Sequence, residues 1–188
     1  MNTLPRHLTV DEFLAWAETQ PREAGKLELL DGMVIVQQSQ RWAHSWIKHR
    51  AAILLHEAIK DAGVAYFAAP EGPAVPIRAG RTFEPDALVA PLPEPAPDSL
   101  KILNPILVVE VLSPSTALFD VTVKLKSYFE VDSIRHYLIV DPEGRTIVHH
   151  RRNDHGIIET KVVDAGDLTI DPPGLTLSLD KLFGATTS

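Results

Sequence analysis

The sequence predicts a mixed α/β domain, and three features carry that reading. The run from Ile106 to Leu112 is nearly all apolar, the pattern of a strand covered on both faces. A cap-rich break, Ser113-Pro114-Ser115-Thr116, and a helical stretch follow it, and a second apolar strand, Tyr137 to Val140, comes next. Strand, helix, strand in that order suggests a parallel crossover. At 188 residues, 45% of them apolar, the chain has room for one domain with a core and little for a second, so residues 1–188 are read as one unit.

The elements follow in order. Thr9-Val10-Asp11-Glu12 fits a capping box, hydroxyl and carboxylate three apart, and predicts a short amphipathic helix through Phe13, Leu14 and Trp16 that stops at Gln20-Pro21. Lys26 to Leu30 and Met33 to Gln37 flank Asp31-Gly32, a two-residue hairpin signal. From Trp42 to Ala62, apolar Ile47, Ala51, Leu54, Ala58 and Ala62 recur at helical spacing, and Gly63 is a natural stop. Short strands are expected near Val64 to Ala68, Ala74 to Arg78 and Asp86 to Ala90, with a turn at Ala79-Gly80-Arg81. Pro91 to Asp98 reads as an exposed loop. The crossover helix is expected over about 117–130, with Leu118, Val121, Leu125 and Phe129 as its apolar stripe. Segments from Thr146 and Ile157 predict a hairpin turned by Asn153-Asp154-His155-Gly156, and a closing element lies near Leu179 to Phe183.

Composition narrows the chemistry. No apolar run is long enough to cross a bilayer and the first residues lack a secretory pattern, which predicts a soluble cytoplasmic protein with no membrane partner. The absence of cysteine removes disulfides, thiolate metal sites and thiol nucleophiles. A net charge of −7 argues against a broad basic surface for non-specific nucleic-acid binding, though less against a nuclease whose acidic site lowers the total.

Two acids stand out. Glu110 interrupts an otherwise apolar strand, where a carboxylate is expensive without a cation, and Asp86 enters a strand behind Pro85. Two acids at the ends of adjacent strands supply half a shell for a hard cation such as magnesium. Taken alone, metal ligand and buried ion pair stay equally open for Glu110, and Asp86 could cap a turn. At about 100° per residue, Asp120, Lys124 and Tyr128 fall along one side of the crossover helix beside its apolar stripe, while Lys126 lies roughly 160° round from Lys124 and is expected in solvent. Asp120 and Lys124 could equally form a surface pair of about 0.3–0.5 kcal/mol.

Phe83-Glu84-Pro85-Asp86, then Val108-Val109-Glu110-Val111-Leu112-Ser113-Pro114-Ser115-Thr116, then Asp120 to Lys124 to Tyr128 and Tyr137-Leu138-Ile139-Val140-Asp141-Pro142 resemble the Uma-type family of putative restriction endonucleases, within the PD-(D/E)XK nuclease superfamily. Leu27-Glu28-Leu29-Leu30-Asp31-Gly32 and the helix after His44 join the resemblance, which spans Thr9 to Phe183. It implies a restriction-endonuclease-like core, a mixed central sheet flanked by helices, with added N-terminal and C-terminal hairpins. It implies Asp86 and Glu110 as ligands of Mg²⁺ or Mn²⁺, the Val111 carbonyl as a third, and DNA as substrate. One position departs from the superfamily: the lysine expected two residues after the second acid is Leu112, and Lys124 matches a lysine moved to the following helix. Glu28 matches an acid of the first hairpin that could hold a second metal or a metal-bound water, against the reading of a strand acid facing solvent. His44 could touch phosphate or a metal water, against a surface or capping role. Tyr128 could hydrogen-bond within the site or pack its ring. Glu130-Val131-Asp132-Ser133 and Leu138 stand where relatives often have a glycine turn and tryptophan.

The function expected is metal-dependent phosphodiester hydrolysis, with Asp86 and Glu110 on the metal and Lys124 assisting the attacking water. A homodimer is expected on symmetry grounds, because two strands of a duplex suit two related sites. A rival is a catalytically inactive nuclease-fold domain serving as a binding or assembly module. A third reading, a histidine metallohydrolase, rests on eight histidines but finds no helical His-Glu-x-x-His pattern.

Overall fold

The computed structural model describes residues 7–21, 25–37, 42–113 and 120–184. Pro114 to Thr116 of the cap-rich break and Leu118 of the expected apolar stripe lie outside them. Helix α1 spans Val10–Ala17, and its capping box forms as expected: the Glu12 amide donates to the Thr9 hydroxyl, and the Glu12 carboxylate accepts from the Thr9 amide. Strands β1 (Lys26–Leu30) and β2 (Met33–Gln37) pair antiparallel about Asp31 and Gly32. Both turn residues have positive φ, 49° and 80°, as a two-residue hairpin of right-handed twist requires. Helix α2 runs Trp42–Ala62, and Gly63 ends it at φ 64°. Its buried side is Ile47, Ala51, Leu55, Ala58 and Ile59, so Leu55 takes the central place expected for Leu54, and Ala62 is exposed.

Beyond α2 come β3 (Tyr66–Pro70), β4 (Val75–Arg78), β5 (Arg81–Phe83), β6 (Ala87–Pro91) and β7 (Leu107–Val111). Strand β5 was not anticipated; three residues are too few to show a period. After β7 the chain makes a π-helical turn over Asp120–Lys124 and a short helix α3, Leu125–Tyr128. Strands β8 (His136–Asp141), β9 (Thr146–Arg152), β10 (Ile158–Val163), β11 (Asp167–Ile170) and β12 (Leu175–Ser178) follow, closed by α4 (Leu179–Phe183).

The central sheet has the order β10-β9-β8-β7-β6-β3, with β7 and β8 parallel and the other neighbours antiparallel. This is the mixed sheet flanked by helices that the resemblance implied, and the parallel pair is the predicted crossover. A second sheet, β2-β1-β5-β4, carries the first hairpin, and β11 pairs with β12 alone. The pleat of β7 sorts its residues: Leu107, Val109 and Val111 join the core under α2, whereas Val108 faces Phe83, Tyr128 and Tyr137 in a second core. Glu110 shares the parity of Val108. It therefore points into the layer between the two sheets, where α3 also packs.

The crossover helix departs from its expected geometry. A π turn closes bonds from i to i+5, one residue more than an α turn, and so shifts the helical phase by about 100°. Val121, expected in the apolar stripe, is 39% exposed, and Leu125 and Phe129 are half-buried. The side turned fully inward carries Lys124, Ser127 and Tyr128, while Lys126 is exposed as expected. Arg81 on β5 donates to the Ser127 hydroxyl at 2.7 Å, and that hydroxyl donates to the Val123 carbonyl at 2.8 Å, which holds the polar side against the second sheet.

Candidate active site

Ala87 on β6 pairs with Val109 on β7, so Asp86 and Glu110 are the next residues outward on two adjacent strands. The Asp86 Oδ2 accepts the Val111 amide at 2.7 Å, which ties the first acid to the residue beyond the second. Both acids are buried. The sequence left Asp86 open as a turn cap; instead its carboxylate bridges two strands.

Around Glu110 the polar groups close tightly. Its Oε1 accepts from Lys124 Nζ at 2.9 Å and from the Tyr128 hydroxyl at 2.6 Å. The same ammonium lies 2.9 Å from Glu28 Oε1, and that oxygen also accepts the Glu84 amide at 3.1 Å. Glu28 is fully buried, which corrects the solvent-facing reading: β1 is covered on this side by the central sheet. Tyr128 performs both roles weighed for it, since its ring also packs edge-on against Phe83 and tilted against Tyr137. Burial, then the Glu110 and Glu28 carboxylates, push the Tyr128 phenol well above its ordinary range, so it stays a donor.

Around Asp86 the cations are ones the sequence reading missed. Lys26 and Lys48 place their ammonium groups 2.8 and 2.7 Å from Asp86 Oδ1, and both also reach Glu71, at 3.7 and 3.1 Å. Burial alone would raise the Asp86 pKa, but these two lysines hold it well below the carboxylate range. Burial alone would lower Lys26, but Asp86, Glu110, Glu28 and Glu71 together hold it well above the ordinary lysine range. Glu84 is pushed up to about 7, by burial first, against the pull of Lys26 and with help from Glu71, Glu28 and Asp86. Two signals could have found the lysines. Lys26 sits two residues from Glu28 on the same face of β1, and Lys48 lies one turn after His44, between apolar Ile47 and Ala51.

His44 is buried rather than a surface cap, and its Nε2 lies 2.5 Å from the Val111 carbonyl. Burial pushes its pKa down, so the neutral ring donates there from Nε2. Its Nδ1 is buried without a hydrogen-bond partner among the described residues. Asp120 contributes its backbone to the π turn; its side chain lies outside what is described.

At its buried centre the cluster sets Glu28, Asp86 and Glu110 against Lys26, Lys48 and Lys124, three carboxylates against three ammonium groups, with half-buried Glu84 and exposed Glu71 at its edge. Among the described residues, no three acidic or imidazole side chains converge as a ready-made metal cage. Hard oxygen donors remain in place all the same: the two strand carboxylates and the Val111 carbonyl. Such a set suits a cation that takes one or two carboxylates and keeps its waters.

Comparison with known proteins agrees with this architecture. A family model described as "Uma2: Putative restriction endonuclease" matches residues 10–182. An uncharacterized protein of Synechocystis sp., slr1290, is 28% identical over 177 residues, 94% of this chain and 91% of that one. The crystal structure of a protein described as a putative nuclease from Anabaena variabilis shares the fold with a TM-score of 0.71 at 21% identity, covering 94% of this chain and 97% of the other. No helix among the described residues is long and apolar enough to cross a membrane. Because the family match runs from the first turn of α1 into α4 and takes in every residue of the cluster, the chain belongs to the Uma2 family, described as putative restriction endonucleases.

Proposed function

We propose that this chain is a metal-dependent endonuclease-like phosphodiester hydrolase acting on DNA, with Asp86, Glu110 and the Val111 carbonyl holding Mg²⁺ or Mn²⁺. The observation that carries the reading is the fully buried Lys124 ammonium, held 2.9 Å from both Glu28 and Glu110 in the same cluster as Asp86. A buried lysine with this partnership replaces the one missing at Leu112. The carboxylate and carbonyl donors are of the hard type that a divalent ion prefers. When bound, such an ion supplies charge neutralisation and Lewis-acid polarisation of a phosphoryl oxygen.

The chain's own groups do the rest. Lys124 presents N–H donors to the attacking water or to the oxygens that gain charge as the phosphorane forms. Tyr128 and Lys124 share Glu110 Oε1 and so fix which way the carboxylate faces. The Val111 amide holds Asp86, and His44 holds the Val111 carbonyl, so three donor groups are oriented before any substrate arrives. Lys26 and Lys48 balance Asp86 and can exchange part of that contact for substrate phosphate. Cutting both strands of a duplex calls for two such sites, which a homodimer would supply.

A second reading is supported by one feature: Asp86 already has two ammonium groups and an amide on its oxygens, as a domain that binds without catalysis could. Plasmid nicking decides between them. With Mg²⁺ or Mn²⁺ the wild type nicks, chelator abolishes the activity, and Asp86→Asn, Glu110→Gln and Lys124→Met each lose at least about 100-fold while keeping their circular dichroism. Nicking that survives all three substitutions, or a wild type inert with both metals, overturns the hydrolase.

A further inference from the structure

Beside the acid cluster, α2 presents an aromatic column to solvent. Trp42 is 78% exposed and Trp46 44% exposed, although indole is among the side chains that gain most from burial. The two rings stack at 5.9 Å with 20° between their planes, and His49 continues the column 6.0 Å from Trp46. The spacing of four and three residues places all three on one side of the helix. An isolated exposed apolar residue is ordinary, but a stacked pair at 78% and 44% exposure forms a flat apolar surface with no cover among the described residues.

Its setting indicates what covers it. The chain carries −7 overall, yet residues 42–56 of α2 contain no acid; they carry Lys48, Arg50 and His44, His49 and His56. The column also borders a small open cleft of about 180 Å³ lined by Ser45, Lys48, His49, Pro70, Glu71 and Asp86. At about 30 Å³ per water, that is room for a phosphate group with its waters. A flat aromatic face, an acid-free helix segment that carries Arg50, and an opening that ends at Asp86 match a nucleic-acid strand whose base stacks on the face while its backbone enters the cleft.

We propose that Trp42, backed by Trp46 and His49, is a stacking platform for an unpaired base of a DNA strand, and that the substrate class is DNA with single-stranded character at or beside the cut. A base inside a duplex has both faces covered by its neighbours and has none to offer an indole; an unpaired base does. Base–aromatic stacking changes affinity by about 1–3 kcal/mol per base, roughly 5- to 150-fold. This rests on the nuclease reading for the role of Asp86, but the stacking itself is measurable without catalysis.

The test uses the full chain in chelator, so that nothing is cleaved, with a labelled oligothymidylate of about 12 nucleotides and a blunt duplex of the same length. The single strand quenches tryptophan fluorescence and binds more tightly than the duplex. Trp42→Ala weakens the single strand roughly 5- to 150-fold and the duplex less than about twofold, Trp42→Phe keeps most of the affinity, and Trp46→Ala gives a smaller loss. Equal single-strand affinity for Trp42→Ala and wild type overturns the platform. So does a wild-type dimer that Trp42→Ala splits into monomers with single-strand binding unchanged, because the indoles then cover a second copy of the chain. Binding as described by a protein that nicks no plasmid with either metal leaves the platform standing and removes the nuclease; nicking by Trp42→Ala with unchanged single-strand affinity does the reverse.

Discussion

Two buried polar clusters sit at opposite ends of the parallel pair β7–β8, and they are solved in different ways. At the end where Leu107 pairs with His136, His136 Nδ1 lies 2.9 Å from His149 Nε2, and His136 Nε2 lies 2.7 Å from the Pro172 carbonyl. Burial pushes both rings down to about 4, so they are neutral and each N–H finds an acceptor. At the end where Val111 pairs with Val140, three buried carboxylates meet three ammonium groups, so ionised pairs take the place of neutral rings. Both clusters are buried, so burial of polar groups does not mark a site. The gathering of ionised groups does, because each keeps its charge only through its partners and can exchange them for an incoming ion.

The sharpest way to break that contrast is to remove its central cation. Lys124→Met leaves Glu28 and Glu110 buried without their shared ammonium, and a loss of about 3–5 kcal/mol is expected in urea unfolding without divalent ions. A loss below about 1 kcal/mol would mean that the charged cluster is no more dependent on internal pairing than the histidine pair.

The histidine end has its own signature. Because the folded values of His136 and His149 lie near 4, below the ordinary 6.5, the unfolded chain binds protons first. Their contribution is full above pH 6.5 and falls as pH drops from there toward 4, by at most about 1.4 kcal/mol per unit for each ring. His44 and His150, also pushed down by burial, act in the same direction, while Glu84, raised to about 7, opposes them because the folded chain takes up its proton first. Asp86 is lost only below its ordinary 3.8, so the two windows separate. Urea midpoints measured across this range should change when His149 is replaced, with His149→Gln losing less stability than the wild type as pH falls from 6.5 toward 4; identical pH dependence in the two proteins would show a ring that charges without cost. The smallest effect belongs to Lys126, two residues from Lys124 and exposed: Lys126→Ala should change stability by less than about 0.5 kcal/mol and leave nicking unchanged.

Much of the fold was legible wherever local chemistry and tertiary packing ask for the same residue. The Thr9–Glu12 box, the Asp31-Gly32 turn and the α2 stop at Gly63 depend on neighbours a few residues away, and each appears at the expected position. The crossover was legible because β7 and β8 are apolar on both faces. Strand β5 and the β11–β12 pair were missed because three or four residues carry too little pattern. Lys26, Lys48, Glu71 and Glu84 were missed for another reason. A lysine in a helix or strand of this length is ordinarily solvated, and only the placement of Asp86 makes its burial favourable.

By itself the sequence determined which residues are chemically improbable where they stand: an acid inside an apolar strand, an acid behind a proline at a strand entrance, and no cysteine for either. Tertiary structure decided how those charges are met. The π turn that rotates Lys124, Ser127 and Tyr128 inward, and the layer that brings β1 over β7, arise from contacts between segments about a hundred residues apart. Charge neutralisation depends on distance in space, and chain order carries almost no information about it.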